Sequence, residues 1–583
     1  MNWGPDMSEN TTAGTATDST AAERRMSPRT RGALIALGVL GVGAASAAGL
    51  FFSGFFEPKA VRDLAEQSSY QLDLQRPDAL IESASLSRLP KDLLSVPLLR
   101  DTLTEDFVFY YESHADRLGL LGSLRRIIFE HELTLQDNLI EELLDQPAEV
   151  ALWRGADGKL KNFVLLMERG GLAKVLEPLA RIASDDTQMR QVGELDVDGD
   201  AVALYRLRYN AERALLFASY GDKLLVLSNQ GMLFDGDYEG AQQARDATES
   251  IEALLAGDDP FHERFGLDTR EASSQRISLS SSYLAFGYQR FIPAFAGLRF
   301  EMDDAGWHSF LALNEAEDQP AFDFSPVWRA MPMGASACVA LPVAAGASEQ
   351  ILVKVGAEDD MAKELTSHLT GAAGLCWYAE SRLHSPLLVG QLDAPPSKEV
   401  DESIGTLFGS VIGAWEANAV GGSFPVTGET HGEQRTWQRE VSSNFGQYPA
   451  SQAEQPDALA ASGFFRISLA RHGSTLLFSL DDRLVDKALS TLDKRFPPLA
   501  DVLPKDALVP AYLAPDTLSA LFERETLDSL PADMEPVFRN AAQAHLLPKL
   551  RTLAGQKKYA LTLPADAEAS DAWQWLPLEW RAL

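Results

Sequence analysis

One stretch of the sequence constrains this chain more than any other, because the 25 residues from Gly32 to Phe56 carry no charge. As an α-helix that rises about 1.5 Å per residue, such a run exceeds the roughly 30 Å hydrocarbon thickness of a bilayer. Four arginines crowd its N-terminal side, whereas the charges that follow it are mixed. Since positive charge is retained in the cytoplasm, the sequence predicts one transmembrane helix at 32–56 and a disordered cytoplasmic tail at 1–31.

A cleaved signal peptide is the competing interpretation of the same stretch. Ala45, Ser46 and Ala47 resemble a small-residue cleavage site after an apolar run. The head before the run is, however, long for a signal peptide, and the run continues to Phe56 instead of giving way to polar residues. The uncleaved anchor is therefore preferred, with everything after residue 56 outside the cytoplasm.

The charge of the chain limits its partners. Residues 1–31 carry four acidic and four basic side chains, so the net charge of −33 belongs entirely to the later residues. A surface of that sign repels nucleic-acid phosphates and anionic lipid headgroups. We therefore expect no nucleic-acid partner, and the charge favours solubility or a cationic partner. With one membrane span, the predicted partner is an envelope protein, while a small-molecule ligand stays unknown.

The 583 residues exceed one ordinary domain, and a short phrase recurs along them. The phrase has Leu or Met followed by Pro and then an apolar run, and it begins at Leu89, Met331 and Leu503. Its recurrence predicts related modules. The predicted plan is a first module at 57–325 with a helical insertion near 101–145, a second module at 326–498, and a C-terminal segment at 499–583.

Hairpins dominate the pattern of the predicted modules. The stretches Ala214–Leu227 and Phe465–Phe478 each place a glycine-containing pair between two apolar runs, as a tight turn requires. In the second module, residues 337–341 and 350–355 are predicted as further strands, followed by a helix near 360–369. Because hairpins outnumber βαβ crossovers, the expected fold class is α+β, with duplicated modules of antiparallel sheet and segregated helices behind the transmembrane helix.

The two cysteines, Cys338 and Cys376, are too few for a framework of several disulfides. In an oxidising compartment they are candidates for one structural disulfide, and otherwise they are two buried thiols. Neither lies in a C-x-x-C motif or beside clustered cations, so neither is expected to do redox or metal chemistry.

No complete catalytic motif is present in the sequence. The nine histidines are all at least sixteen residues apart, which excludes H-E-x-x-H, and no G-x-S-x-G, S-x-x-K or phosphate-binding loop occurs. The acidic run Asp196–Asp200 resembles a calcium loop, but Leu207 occupies the position where a ligating glutamate is needed, so a β-turn before a strand is predicted. We expect no cofactor or metal, and catalytic residues stay unknown.

The stretch Ser85–Glu112, which reads SLSRLPKDLLSVPLLRDTLTEDFVFYYE, resembles a family of uncharacterised bacterial envelope proteins found in gene clusters with bacterial α2-macroglobulin-like proteins. The resemblance implies a Gram-negative inner-membrane protein that faces the periplasm and assists protease trapping.

The preferred hypothesis from the sequence is a non-enzymatic binding or scaffolding protein. The alternative is an envelope hydrolase whose active site is assembled from distant residues. A metal-competent cluster, or a deep pocket of convergent polar side chains, would contradict the binding-only hypothesis.

Overall fold

The computed structural model describes most of the chain after residue 71. The described ranges are 72–86, 88–94, 145–154, 160–168, 189–208, 214–235, 241–267, 274–281, 294–303, 306–314, 322–354, 357–416, 425–442, 464–528, 535–567 and 573–583. The predicted cytoplasmic tail and the predicted transmembrane helix lie outside these ranges, and so does nearly all of the predicted helical insertion.

Twenty β-strands are formed by the described residues. Ten of them precede residue 314, and we call this part the N-terminal repeat: β1 (Ala79–Ser83), β2 (Ala148–Arg154), β3 (Leu160–Glu168), β4 (Met189–Val197), β5 (Asp200–Arg208), β6 (Ala214–Tyr220), β7 (Lys223–Leu227), β8 (Gln275–Ser280), β9 (Phe295–Asp303) and β10 (Gly306–Leu313). The C-terminal repeat contains the other ten: β11 (Ala335–Pro342), β12 (Leu369–Tyr378), β13 (Leu387–Leu392), β14 (Thr427–His431), β15 (Gln434–Ser442), β16 (Phe464–His472), β17 (Thr475–Ser479), β18 (Ala507–Leu513), β19 (Tyr559–Pro564) and β20 (Gln574–Ala582).

The strands pair side by side in the same order in both repeats. In the N-terminal repeat the order is β4-β5-β6-β7-β3-β2-β1-β8-β9-β10, and every pair is antiparallel. In the C-terminal repeat the order is β14-β15-β16-β17-β13-β12-β11-β18-β19-β20, again antiparallel throughout. Each number in the second order is ten higher than its counterpart in the first. The repetition therefore lies in the connectivity of the strands.

The two repeats join into one continuous sheet through their last strands. β10 pairs antiparallel with β20 from Ser309 opposite Leu578 to Leu313 opposite Gln574. Within this pairing, Trp575 is opposite Ala312, and its indole donates a hydrogen bond of 2.9 Å to the backbone oxygen of Phe265 in the N-terminal repeat. The last strand of the chain, β20, thus joins the two repeats at the middle of the sheet.

Helices pack on the sheet within each repeat. Those formed by the described residues are α1 (Leu89–Leu94), α2 (Arg245–Ala256), α3 (Pro260–Phe265), α4 (Ser325–Ala330), α5 (Ala345–Lys354), α6 (Asp359–Ser367), α7 (Lys398–Glu416), α8 (Asp482–Leu492), α9 (Pro515–Asp528), α10 (Glu535–Ala541) and α11 (Leu547–Ala554). Leu254 of α2 and Phe261 of α3 belong to the core of the N-terminal repeat. Trp328 of α4 and Leu484 of α8 belong to the core of the C-terminal repeat.

The hairpin turns follow the glycines that the sequence marks. Gly221 joins β6 to β7 and Gly473 joins the counterpart strands β16 and β17, with φ angles of 57° and 59°. Between β4 and β5, Asp198 and Gly199 both have positive φ, 55° and 88°, as a tight two-residue hairpin turn requires. The β-turn predicted there in place of a calcium loop is confirmed.

The predicted fold class is wrong. Instead of separate α+β modules that each pack a sheet on segregated helices behind a membrane helix, the strands form one antiparallel sheet of twenty strands with few helices. The sequence shows which neighbouring runs form hairpins, but it gives no sign that β20 pairs with β10. Residues 350–354, predicted as a strand, lie in α5, because a short apolar run suits both structures. Within the described ranges no helix is long and apolar enough to cross a membrane.

Candidate functional site

A row of ionisable side chains crosses five adjacent strands of the N-terminal repeat, and we call it the charged row. Glu149 on β2 is opposite Glu82 on β1, which is opposite Arg276 on β8. Arg276 is opposite Glu301 on β9, which is opposite His308 on β10. Directly opposed residues of antiparallel strands share a face of the sheet. The five side chains therefore lie on the same face.

Arg276 is the centre of the charged row. Its side chain is 3% exposed, and its Nη1 lies 3.1 Å from Glu82 Oε1. Its Nε donates a 2.8 Å hydrogen bond to Glu301 Oε1, and the same oxygen forms an ion pair with Arg299 Nε at 3.1 Å. Burial lowers the pKa of the Arg276 guanidinium, but the two carboxylates outweigh burial and raise it. The buried cation is therefore held between two acids.

His262 is brought to the charged row by α3. The helix begins here because Asp259 is an N-cap, accepting a 3.3 Å hydrogen bond from the backbone N–H of His262, and because Pro260 suits the first turn. The His262 side chain is 7% exposed, with Nε2 at 2.8 Å from Glu82 Oε1 and Nδ1 at 2.5 Å from Asp259 Oδ1. Burial lowers the pKa of His262, but the contacts with Asp259 and Glu82 outweigh it and raise the pKa to about 10.

Three of these residues form a group that we call the His262 cluster: Glu149, Asp259 and His262. One ligand-type atom from each lies within 4.8 Å of the other two. Carboxylate oxygen and imidazole nitrogen are the ligands that zinc and similar divalent ions take in proteins. The sequence prediction missed this group, since its members lie on a strand and a helix far apart in the chain. The local pattern Asp-Pro-x-His at the start of α3 is the one signal that sequence offered.

A groove lies in the C-terminal repeat, with a volume of about 1070 Å³. It is bounded by α4, by strands β12, β13 and β17, and by the segment 494–498. Gln391 and Thr475 line it and are 5% and 8% exposed, with the amide nitrogen of Gln391 at 3.2 Å from the Thr475 hydroxyl. The groove therefore combines a buried polar floor with an open side.

Cationic side chains stand at the rim of the groove: Arg329, Lys494 and Arg495. Asp323 and Asp501 also line it, so the rim is mixed in charge. Lys494 has a φ of 60°, in the left-handed region that residues other than glycine seldom adopt. This conformation follows the end of α8 and turns the chain along the groove.

The cysteines lie on the counterparts of the strands that carry the charged row. Cys338 on β11 is directly opposite Cys376 on β12, and the structure joins them by a disulfide with both residues fully buried. Cys338 is also opposite Tyr512 on β18, whose side chain is buried in the same core. The strands that hold acids and an arginine in the N-terminal repeat therefore hold a disulfide and a tyrosine in the C-terminal repeat.

Comparisons with known proteins place the chain among bacterial sequences. A family model described as "Uncharacterized protein conserved in bacteria (DUF2138)" matches residues 31–580. A protein of Escherichia coli (strain K12), described as uncharacterized protein YfaA, is 47% identical over 558 residues, covering 94% of this chain and 98% of that protein.

Two solved structures, crystal forms III and I of TP0453, are 10% and 12% identical with TM-scores of 0.21. They cover 42% and 45% of this chain, and 79% and 84% of their own chains. A likeness this weak carries no argument about fold or function.

Proposed function

The chain belongs to the DUF2138 family of uncharacterized proteins conserved in bacteria, and from that premise we propose that it is a non-enzymatic binding or scaffolding protein of the bacterial envelope. Residues 32–56 hold it in the inner membrane, and its sheet lies in the periplasm. Its partner is a polypeptide of the envelope. An α2-macroglobulin-like protease-trapping protein is the first candidate for that partner.

The groove of the C-terminal repeat is the observation that carries the proposal. Its volume of about 1070 Å³ is at the upper end of the range for ligand sites. The hydrogen-bonded pair of Gln391 and Thr475 forms a polar floor. Arg329 and Lys494 at the rim attract carboxylates, whereas Arg495 is paired with Asp493. An extended segment of a partner protein fits this groove better than a compact small molecule does.

The cysteine pair supports the periplasmic location. Disulfides form and persist in oxidising compartments and are rare in the bacterial cytosol. Cys338 and Cys376 are fully buried in the core of the C-terminal repeat, so their bond forms during folding. The uncharged stretch at 32–56 and the acidic charge after it are consistent with the same location.

Photo-crosslinking in the cell tests the binding proposal. A photoreactive residue replaces Phe496, which lines the groove, and in a control it replaces Val537, which is 66% exposed on α10. We expect one adduct with the α2-macroglobulin-like protein or another envelope protein at position 496 and none at 537. The adduct should weaken when Arg329→Glu and Lys494→Glu reverse two rim charges. Equal labelling at both positions, or none at 496, would refute the proposal.

A reporter fusion tests the location independently. A reporter that is active only outside the cytoplasm is fused after residue 56, and a matched fusion is made after residue 31. We expect activity in the first fusion and silence in the second. Silence in both would place the bulk of the chain in the cytoplasm.

An envelope hydrolase is the second candidate, and the His262 cluster favours it because it gathers carboxylates and an imidazole from distant residues. A general base, however, needs a free lone pair near neutral pH. With a pKa of about 10, His262 keeps its proton there. The His262 cluster therefore counts against a binding-only protein but gives a hydrolase no free base in the metal-free chain, and binding at the groove remains the function that we propose.

A further inference from the structure

We propose that the His262 cluster binds a divalent transition-metal cation such as Zn²⁺, with Glu149, Asp259 and His262 as its protein ligands. This site belongs to the N-terminal repeat and is separate from the groove. Three protein ligands leave a fourth position of a tetrahedral ion for water or another ligand.

The geometry of the three side chains suits such an ion. One donor atom from each lies within 4.8 Å of the other two. Bonds of about 2.0–2.2 Å from nitrogen and oxygen to zinc place donor atoms a little more than 3 Å apart. Modest side-chain rotations therefore have to open the 2.5 Å contact between His262 and Asp259 and adjust the position of Glu149. Mixed nitrogen and oxygen ligands favour transition metals over Ca²⁺ and Mg²⁺, which prefer oxygen alone.

The hydrogen bonds around His262 resemble those of metal-binding histidines, whose second ring nitrogen donates to a carboxylate. The far ring nitrogen of His262, Nε2, lies 2.8 Å from Glu82 Oε1. Glu82 is itself held by Arg276, whose Nε bonds to Glu301. A carboxylate behind a ligating imidazole selects the tautomer and the orientation of the ring. With Nε2–H directed at Glu82, the lone pair of His262 is on Nδ1, which faces the cluster.

The Nδ1 atom is a second and independent indication of a ligand. The His262 side chain is 93% buried, being 7% exposed, and its Nδ1 lies 2.5 Å from Asp259 Oδ1. Despite this distance, no acceptor in the described part of the chain is aligned to form a hydrogen bond with Nδ1. A buried ring nitrogen without an aligned acceptor is available to a cation once its proton is released.

The charge of the surroundings also suits a divalent ion. The acids at the site are Glu82, Glu149, Asp259 and Glu301, and the fixed cations are Arg276 and Arg299. With His262 neutral, these six groups sum to a charge of −2, which one divalent ion neutralises. The ion has to displace the second imidazole proton, and this competition sets its affinity.

Calorimetric titration of the full chain, purified in detergent and freed of metal with a chelator, tests the proposal with Zn²⁺ as the probe. We expect one zinc ion per chain and an affinity at least tenfold lower for Asp259→Asn, because asparagine keeps the N-cap oxygen but loses the negative ligand. His262→Gln should abolish the site. Glu249→Gln on α2 removes one exposed carboxylate and should bind zinc as the unmodified chain does.

Circular dichroism checks that each variant is folded, and Asp259→Asn keeps the test meaningful if His262→Gln unfolds. The proposal fails if Asp259→Asn binds zinc as tightly as the unmodified chain, if no zinc binds, or if Ca²⁺ binds equally well. The rim reversals Arg329→Glu and Lys494→Glu should leave zinc binding unchanged, so failure of this site and failure of the groove are distinguishable.

Discussion

The two repeats share one strand order but differ in what their central strands carry. In the N-terminal repeat, β2, β1 and β8 hold two half-buried acids and a buried arginine. In the C-terminal repeat, the counterpart strands β12, β11 and β18 hold a disulfide and a buried tyrosine. The backbone pairing is thus compatible with opposite chemistry on the same strands. This difference leaves the fold unchanged because strand order depends on backbone hydrogen bonds and on burial of the apolar residues.

The ion pairs of the N-terminal repeat and the disulfide of the C-terminal repeat differ in how their loss changes stability. Buried ion pairs add little net stability, yet removing one partner leaves an uncompensated buried charge. A disulfide acts chiefly by restricting the unfolded chain. The N-terminal repeat should therefore be the more sensitive to single charge removals, and the C-terminal repeat to reduction.

The largest effect is expected from Arg276→Met. The change removes the buried cation between Glu82 and Glu301, at a cost of about 3–5 kcal/mol of unfolding free energy. The two acids are 16% and 14% exposed and retain His262 and Arg299 as partners. Hydrogen exchange should rise in peptides from β1, β8 and β9 before it rises in β12 and β13. Arg245→Met removes an arginine whose side chain is 87% exposed and should change nothing measurable. Equal loss of protection in both repeats would show that they unfold as one unit.

Removal of the disulfide is the next largest change. Replacing both Cys338 and Cys376 by alanine opens a link between residues 38 positions apart, which should lower the unfolding free energy by about 2–4 kcal/mol. Urea denaturation, followed by amide hydrogen exchange at β11 and β12, measures this loss of unfolding free energy. Thiol alkylation of the unmodified chain from cells, with and without reductant, reports the bond directly. Labelling without reductant would mean that the comparison rests on two buried thiols.

A smaller effect should come from the contact that couples the repeats. A Cβ at Gly297 on β9 would lie 2.5 Å from the backbone oxygen of Leu279 and 2.8 Å from the ring of Trp573, so Gly297→Ala should cost about 1–3 kcal/mol. At Gly390 on β13 a Cβ would meet only Leu476, at 3.9 Å, so Gly390→Ala is the matched control. Thermal unfolding compares the two. Equal midpoints would mean that the Trp573 contact does not constrain the sheet.

The smallest expected effect is a loss of stability at alkaline pH that arises in the C-terminal repeat. Burial, followed by the charge of Asp516, raises the pKa of Tyr512 from 10.0 to about 12. A folded-state pKa above the unfolded value gives stability that is complete below pH 10 and is lost as pH rises through 12. The loss is about 1 kcal/mol at pH 11. Tyr512→Phe should weaken this dependence in exchange measurements on β18, where Tyr378 of the same core still titrates at raised pKa. An unchanged profile would mean that Tyr512 does not contribute.

The sequence was informative wherever a signal is local. The glycine pairs marked the β6–β7 and β16–β17 hairpins, and the helix predicted near 360–369 is α6, at Asp359–Ser367. The recurring Leu/Met-Pro phrase was less reliable, because Leu89 begins α1 after β1, whereas Met331 precedes β11. The feature that repeats is the order in which the strands pair, and a short sequence phrase does not indicate that order.

Composition, charge and turn residues were enough to establish a long acidic chain rich in hairpins, because each of these properties belongs to neighbouring residues. Folding alone brought Glu82 against His262, which is 180 positions away, and placed β20 beside β10. The same holds for the groove and the His262 cluster. Their side chains come from elements that meet only in the folded sheet. The periodicity of a single strand or helix does not indicate which distant element it will contact.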